Sequence, residues 1–479
     1  MRLLLLSLIV TLGADVARWG VLAAERPAVI DAARNGDRAA LRALIQKKAD
    51  VNQPDADGAT ALHWAAYRDD LESINLLIAA GANVNAANDL GATPLWNAST
   101  NAAVPVAKRL LDAGANPNLT LIAGESPLMA AARAGKAGVV ELLLAKGANA
   151  NARGARGQTA LMWAVSQRHP GAVKALLARG ADVHARSDEW REMVAVPPHG
   201  LPQYNKIIPR GRDTAMLFAA RVGDLESAKL LAASGANVND ADAWGVSATV
   251  MASHAGFTEL VEWLLDRDAD PDAAAAGFTA MHAAIMRRDT RMVAALLAHG
   301  ADANAPLKTW TPTRRSSRDH NFAPELVGAT PFWLASRFNQ PDVMRLLLKH
   351  GANALVVHHA NYHIEEPVEP RTQVTTAVMA AAGMGGGVAW VQPNRLEREK
   401  LMLESMTVAV ERGVDVNAVN SDGRTALDAA RAHADLEARA TTGSTRTTSA
   451  RSSTPTPDPR RSAIRRRLSS FLGVIPREE

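Results

Sequence analysis

The chain has 479 residues, of which 47% are hydrophobic and only 4% aromatic, and it contains no cysteine. Disulfides, thiolate zinc sites and cysteine nucleophiles are therefore excluded, and the excess of small side chains favours closely packed helices over a β-sandwich or barrel. The net charge of +4 comes from the C-terminal end, because the residues from Arg439 onward contain nine arginines and only three carboxylates. The rest of the chain therefore lacks the basic stripe that is typical of a nucleic-acid-binding domain.

The first 24 residues have the composition of a secretory signal peptide. Met1-Arg2 is followed by an apolar run from Leu3 to Ala14, and the small residues Val21-Leu22-Ala23-Ala24 come after a short polar stretch. The run is shorter than the roughly 20 residues that span a bilayer. We therefore expect residues 1–24 to be a signal peptide and the protein to be periplasmic or secreted. Two alternatives stay open: a buried helix that caps the fold, and an uncleaved N-terminus that anchors the protein in a membrane.

Two short phrases recur along the chain, at first with a spacing of 33 residues. One phrase is a turn sequence, and the other begins twelve residues later with Thr or Ser before an apolar run. The turn phrase occurs as KADVN at 48, GANVN at 81, GANPN at 114, GANAN at 147 and GADVH at 180, and it continues to GVDVN at 413. The second phrase occurs as TALHWAA from Thr60, TPLWNAS from Thr93, SPLMAAA from Ser126 and TALMWAV from Thr159, and it continues to TALDAAR from Thr425. Two interlocked phrases with a fixed period predict a stack of similar structural units.

Each unit is predicted to be a pair of helices followed by a turn. The Thr or Ser is the expected N-cap of the first helix, and a proline such as Pro127 fits the first helical position, where its missing N–H costs nothing. The spacing of Val140, Leu143 and Leu144 gives the second helix one apolar face. A glycine such as Gly81 is expected to end that helix in the left-handed conformation. No unit can cover its own apolar face, so stability must come from stacking.

Together these features resemble the ankyrin-repeat family, whose 33-residue unit carries the signature T-P-L-H-x-A. The resemblance covers about residues 28 to 434. It implies an all-α solenoid of helix-turn-helix units with hairpin fingers, here about ten repeats with long insertions, in an exported protein of the bacterial type. It also implies a non-catalytic scaffold or adaptor, which binds a partner protein through the concave surface and the finger insertions.

The chain departs from the family signature at the histidine position. The histidine is kept only at His63 and His282, and tryptophan or methionine replaces it at Trp96, Trp333, Met129, Met162 and Met379. At the next position stand Trp64, Trp163 and Phe218. Because these aromatic residues lie inside predicted helices, we expect them to pack in the core rather than to form a ligand-stacking row.

Counting between the phrases divides the chain into segments. The expected order is a signal peptide at 1–24, N-terminal repeats at 25–185, a finger insertion at 186–210, central repeats at 211–305, a finger insertion at 306–327, C-terminal repeats at 328–434 with insertions near 355–370 and 384–400, and a Ser/Thr/Pro/Arg-rich tail at 435–479. The tail composition is typical of disorder. The insertion near 384–400 is predicted to be a loop between the two helices of its unit, with the helix-like sequence LEREK inside it.

Three of the insertions lengthen fingers and hold much of the unusual chemistry of the chain. Insertions in repeat arrays often mark the binding face, and aromatic residues and Arg dominate binding hot spots. We therefore predict a second recognition surface on these fingers, and the alternative is that they pack back on the solenoid without a partner. The predicted partner-binding residues are Trp190, His199, Tyr204, Trp310, Arg314, Arg315, His320, Phe322, Tyr362 and His363.

Chemical sites are predicted to be absent. His359 and His363 are spaced as metal ligands on a helix would be, but the motif is not H-E-x-x-H, and the prolines that follow favour an extended finger. The glycines from Gly383 to Gly387 lack the Lys-Ser/Thr of a phosphate-binding loop. We expect no catalytic residues, no metal and no cofactor.

The expected partner is a protein of unknown identity, with no nucleic acid, and the expected state is a monomer. The basic tail mixes arginines with Ile464, Leu468 and Phe471, so membrane contact is expected only through this tail. The alternative function is an exported protein that associates with a membrane surface through the tail, or handles metal through the His-rich finger.

Overall fold

A computed structural model describes residues 26–101, 104–194, 205–311, 322–364, 369–386 and 395–430. The chain divides into two compact units, Met1–Asp182 and Val183–Glu479. The predicted signal peptide and tail lie outside the described residues. Each unit is built from consecutive pairs of helices, so the predicted all-α solenoid architecture is confirmed.

Unit 1 contains five described helix pairs. In each pair the first helix follows a Thr, Ser or Pro, and the second ends near the turn phrase. Their bounds are α1 Ala28–Asn35 and α2 Arg38–Gln46, α3 Ala61–Tyr67 and α4 Leu71–Ala79, α5 Pro94–Asn101 and α6 Val104–Asp112, α7 Pro127–Arg133 and α8 Ala137–Ala145, and α9 Ala160–Ser166 and α10 Pro170–Leu177.

Unit 2 also contains five described helix pairs, and it carries two β-hairpins. The helices are α11 Ala215–Val222 and α12 Leu225–Ala233, α13 Ala248–Ala255 and α14 Thr258–Leu265, α15 Ala280–Met286 and α16 Thr290–Ala298, α17 Pro331–Arg337 and α18 Pro341–Lys349, and α19 Ala377–Ala381 and α20 Arg395–Val410. The strands are β1 Glu189–Val194, β2 Lys206–Gly211, β3 His358–Ile364 and β4 Glu369–Thr375.

First helices pack against first helices, and second helices pack against second helices. Within unit 1, α3 contacts α1 and α5, and α7 contacts α5 and α9. The close approach is possible because small residues fill the interface: Ala65, Ala66, Ala131 and Ala132 are fully buried. On the second helices the predicted apolar stripe is buried, with Leu143 at 0% exposure. Each helix layer therefore closes the apolar face of its neighbours, as stacking requires.

The predicted caps and turns are present. The side chains of Ser126, Thr159, Ser247 and Thr330 accept hydrogen bonds from the third residue of the helix that each of them begins. The glycines that follow the second helices have positive φ, for example 86° at Gly81. These local signals set where each helix begins and ends.

Asparagines in the turns join neighbouring repeats. Asn85 donates from its side-chain amide to the Gly114 carbonyl at 3.1 Å, and its side-chain oxygen accepts from the Asn116 amide at 2.8 Å. Equivalent pairs of hydrogen bonds start from Asn52, Asn118, Asn151, Asn239 and Asn304. We call this row the asparagine ladder. It satisfies backbone groups that would otherwise be left at the ends of the second helices.

Two insertions form antiparallel hairpins. Strand β1 pairs with β2, with Trp190 opposite Arg210 and Met193 opposite Ile207. Strand β3 pairs with β4, with His358 opposite Thr375. The fourth insertion differs from the prediction, because LEREK is not part of a separate loop. It belongs to α20, whose 16 residues exceed the 8 or 9 of the other second helices, so this insertion lengthens the N-terminal part of a second helix.

The described helices include none that combines the length and the apolar character needed to span a membrane.

Candidate protein-binding surfaces

The first surface lies on the first helices of unit 1 and combines aromatic and basic side chains. We call it the first-helix face. Its basic and aromatic residues are Arg34, Trp64, Tyr67, Arg68, Arg133 and Trp163, and Asn97, Thr100 and Asn101 lie between the basic positions. Tyr67 is 58% exposed, and the Trp64 and Trp163 side chains are half-buried. The expectation that Trp64 and Trp163 belong to the closed core is therefore only partly met, because one part of each ring remains at the surface.

Two arginine–tryptophan pairs recur on this face. The Arg34 guanidinium lies over the Trp64 ring at 4.9 Å, and the Arg133 guanidinium lies over the Trp163 ring at 5.8 Å. Each arginine comes from one repeat and each tryptophan from the next. A cation over an indole face is attracted by the ring quadrupole. The pairs therefore hold their arginines in defined positions at the surface.

Tyr67 and Arg68 extend the first pair. The Tyr67 ring meets Trp64 edge-on, with ring centroids 6.1 Å apart. Arg68 donates to the Arg34 carbonyl at 3.1 Å, and its guanidinium lies beside Gly36. The result is a small surface with an exposed aromatic ring and two neighbouring cations.

Two finger tips of unit 1 expose aliphatic side chains. Leu90 is 68% exposed and Ile122 is 80% exposed, and the two tips are joined by a hydrogen bond from the Ile122 amide to the Leu90 carbonyl at 2.9 Å. These tips belong to repeats that lie between the two arginine–tryptophan pairs in the chain. Apolar side chains exposed side by side are typical of binding sites.

The β1–β2 hairpin packs one face against neighbouring fingers. Lys206 lies over the Trp310 ring at 5.2 Å, Arg210 lies over the Trp244 ring at 5.9 Å, and Ile208 between them is 5% exposed. The opposite face exposes Met193 and Ile207, at 69% and 59%. The hairpin thus partly packs back on unit 2, as the alternative interpretation expected, and it presents an apolar pair outward.

On the first two finger insertions, two of the predicted partner-binding residues are at least partly exposed. They are Trp190 and Trp310. Trp190 is 36% exposed, and Trp310 is half-buried. Phe322 is fully buried, because it packs against Phe278 and edge-on to His282. Phe322 is therefore a core residue and not a surface contact residue, contrary to the prediction. His199, Tyr204, Arg314, Arg315 and His320 lie outside the described residues.

The β3–β4 hairpin separates its histidines onto two faces. His358 is 1% exposed and stacks on Trp333, with ring centroids 4.0 Å apart, while His359 and His363 alternate to the opposite face. Burial lowers the pKa of His358 to about 4. Tyr362 and His363, both predicted site residues, are half-buried.

These positions do not assemble a metal site. Among the residues that the structure describes, no three histidine, aspartate or glutamate side chains come close enough together to hold a metal ion. Glu365 and Glu366 lie outside the described residues.

The sequence prediction placed partner binding on the concave surface but did not identify the arginine–tryptophan pairs of the first-helix face. Arg34 and Arg133 are 99 residues apart, which is three periods of 33, so both arginines occupy the same position of the repeat. This position comes three residues after the one that Trp64 and Trp163 occupy in the repeats that follow. An alignment of the repeats to one another would show this recurrence. The contact itself crosses from one repeat to the next, so spacing within a repeat does not reveal it.

Comparison with known families supports the repeat architecture. A family model described as ankyrin repeats (3 copies) matches residues 29–121, 106–187, 216–307 and 276–358. These matches cover more than half of the chain. No curated protein matches the sequence.

Proposed function

The chain belongs to the ankyrin-repeat family, and from this premise we propose that it is a non-catalytic scaffold that binds a partner protein. Ankyrin repeats generally mediate protein–protein interactions, and the family is typically non-enzymatic. The observation that carries the proposal is the first-helix face with its adjacent finger tips. Tyr67, Leu90 and Ile122 are each more than half exposed there, although the chain buries most of its large apolar side chains.

The outward face of the β1–β2 hairpin is the second contact surface in this proposal. Met193 and Ile207 lie opposite each other on paired strands and are exposed together. Apolar side chains that are exposed in pairs favour contact with another protein over contact with water.

Capture by the full chain tests the scaffold proposal. The first variant combines Tyr67→Ala, Leu90→Ser and Ile122→Ser, which removes exposed side chains and leaves the buried stripe intact. The matched control combines Lys174→Ala and Arg179→Ala, which are exposed on and after a second helix. We expect a protein that the parent and the control retain from an extract of the source cells to be lost by the triple variant. Equal capture by all three forms would contradict a role for this face.

We also propose that the protein is exported, because the N-terminal sequence combines a basic start, an apolar run and small residues. Cell fractionation of the full chain with a C-terminal epitope, compared with a form that lacks residues 2–24, tests this. Recovery of both forms from the same compartment would contradict export.

A further inference from the structure

The cations of unit 1 are neutralised unevenly. On and beside the second helices, Arg38 and Arg42 pair with Glu72, and Lys108 and Lys146 pair with Asp112, whereas Lys174 and Arg179 form no ion pair with any described residue. On the first-helix face, Arg34 and Arg68 form no ion pair with any residue that the structure describes. The cations at this end of the face therefore have aromatic and carbonyl contacts but no carboxylate.

Among the described residues, the second arginine–tryptophan pair has one carboxylate partner. The Arg133 guanidinium lies 2.8 Å from Glu125 and also over Trp163. The His169 ring bonds to the Arg133 carbonyl at 3.2 Å, so the backbone of this residue is fixed from the following repeat. The Arg133 side chain remains 42% exposed although it contacts both Glu125 and Trp163.

The two pairs are three repeats apart. First helices of neighbouring repeats pack at about 8–10 Å, so the pairs are separated by roughly 30 Å. An extended polypeptide advances about 3.3 Å per residue, so about nine residues connect the two pairs.

On these grounds we propose that the first-helix face binds an acidic polypeptide segment, with one carboxylate cluster at Arg34 and Arg68 and another at Arg133. This inference rests on the proposed scaffold function and names the chemistry of the partner. Carboxylates form charge-assisted hydrogen bonds with guanidinium groups, and Tyr67 supplies an apolar surface beside the first cluster.

The pattern of charges favours a protein over a nucleic acid. A phosphate backbone needs a continuous row of cations. Between the two pairs the face carries Asn97, Thr100 and Asn101, which are uncharged. Two separated cationic positions match discrete clusters of carboxylates better than evenly spaced phosphates.

The test measures binding of the full chain to three labelled probes by fluorescence anisotropy. The first is a 16-residue peptide with Glu-Glu-Glu at each end and a Gly/Ser linker of about ten residues, a length set by the extended-chain rise. The second peptide has Gln in place of every Glu. The third probe is a 16-nucleotide single strand of thymidylate. We expect the Glu peptide to bind, and the Gln peptide and the oligonucleotide to bind more weakly.

Two pairs of substitutions locate the binding. Arg34→Ala with Arg133→Ala is expected to weaken binding of the Glu peptide by about tenfold, since each exposed charge contact contributes a fraction of a kcal/mol to about 1 kcal/mol. The control variant, Lys174→Ala with Arg179→Ala, removes two positive charges from the second-helix side. Its binding shows how much of any loss comes from the lower net charge alone, and how much binding comes from the basic C-terminal sequence that both variants keep.

Three results would overturn the inference: no binding of the Glu peptide, equal loss in the control, or tighter binding of the oligonucleotide that the Arg34 and Arg133 variant weakens. A melting temperature equal to that of the parent shows that the double variant is folded. If a captured protein is lost by the Tyr67, Leu90 and Ile122 variant while the peptide test fails, the scaffold function stands and only the acidic chemistry of the partner is wrong.

Discussion

The asparagine ladder shows how one side-chain position connects neighbouring repeats. At Asp272 the ladder has a carboxylate in place of the amide, and both oxygens accept from the Asp302 amide at 2.9 Å. A carboxylate has no proton to donate to the next carbonyl. Burial raises the pKa of Asp272, and the nearby Asp302 and Asp270 raise it further. This position therefore carries a charge that the fold disfavours.

Asp272→Asn is expected to stabilise the protein by about 0.5–1 kcal/mol at pH 7, because it restores a donor and removes a disfavoured charge. The folded-state pKa of Asp272 lies above its unfolded value, so the charge costs stability as pH rises through that range. The gain should accordingly be smaller at pH 4 than at pH 7. Urea denaturation followed by circular dichroism at both pH values measures it.

The reverse substitution, Asn239→Asp, provides the control for this prediction. It removes the bond from the Asn239 amide to the Asp268 carbonyl, which measures 3.1 Å. We expect it to destabilise the protein by about 1 kcal/mol. Equal midpoints for the parent and Asp272→Asn would contradict the assignment of a missing donor.

We expect His282 to make the stability of unit 2 depend on pH. It is fully buried, and its Nδ1 accepts from the Thr279 amide at 3.2 Å, so the neutral ring closes the cap of α15. Burial lowers the pKa of His282 to about 4. Because the unfolded chain binds a proton near pH 6.5 and the folded chain does not, stability falls as pH decreases from about 6.5 towards 4.

His282→Met is expected to reduce this loss, since Met129, Met162 and Met379 occupy the same position in other repeats and are buried. Between pH 7.5 and pH 5 the parent should lose about 2 kcal/mol more than the variant. The measurement is the free energy of unfolding from urea titrations at the two pH values. His350→Gln, at an exposed position, should behave as the parent does. The idea fails if the pH dependence of the parent and of His282→Met is the same.

At the scale of the element, α12 lacks one large side chain of the second-helix stripe. Ala232 stands where the other second helices of normal length have Ile or Leu, such as Leu111, Leu144 and Leu265. An open groove of about 550 Å³ lies beside this position, and its lining includes Lys229, Ala232, Ala233 and Arg267.

Ala232→Leu is expected to fill this groove and to stabilise unit 2 by about 1 kcal/mol, the contribution of a partly buried aliphatic side chain. Ala145 is exposed at the end of α8 and does not line this groove, so Ala145→Leu should leave stability unchanged and serves as the control. The melting temperatures of the parent and of both variants measure this gain in stability. A lower melting temperature for Ala232→Leu would show that the groove is too tight for the larger side chain.

The hairpins show why an insertion does not lie freely in solvent. The inner face of β1–β2 contacts two aromatic rings through Lys206 and Arg210, and β3 is held by the stack of His358 on Trp333. His358 also bonds to the Val327 carbonyl at 3.1 Å. Each hairpin therefore packs one face against the repeats and leaves most of the other face exposed.

At the scale of the whole molecule, stability is transmitted from one repeat to the next. Each helix pair contacts the pairs before and after it within its unit. In such an array the free energy of unfolding is close to a sum of terms for each repeat and for each pair of neighbours. A local change should therefore act most strongly on the repeats that it touches.

Leu143→Ala is expected to cost about 2–5 kcal/mol, the usual range for a fully buried leucine. Hydrogen exchange followed by mass spectrometry should show lost protection in the helices around α8 and unchanged protection in α17 and α18. Glu141→Ala, on the exposed side of the same helix, is the control. If hydrogen-exchange protection were lost uniformly along the chain, the effect of the substitution would not be limited to neighbouring repeats, and the prediction would be wrong.

The repeat, the order of the helices, their caps and their turns could all be predicted from the amino-acid sequence. These features depend on residues a few positions apart, such as Ser126 before α7 or Gly81 after α4, and the repetition of each signal strengthens its interpretation. The period also predicted that the apolar stripe with Leu143 is buried, because an isolated unit cannot cover it.

The tertiary structure alone decided which side chains remain at the surface. Phe322 looked like a contact residue but lies under Phe278, and the Trp64 ring meets Arg34 of the previous repeat. LEREK belongs to a second helix, and this helix, α20, packs against α18 and α19. Such contacts join residues that are tens of positions apart. Their formation depends on how neighbouring repeats and insertions pack in space, which spacing along one chain does not specify.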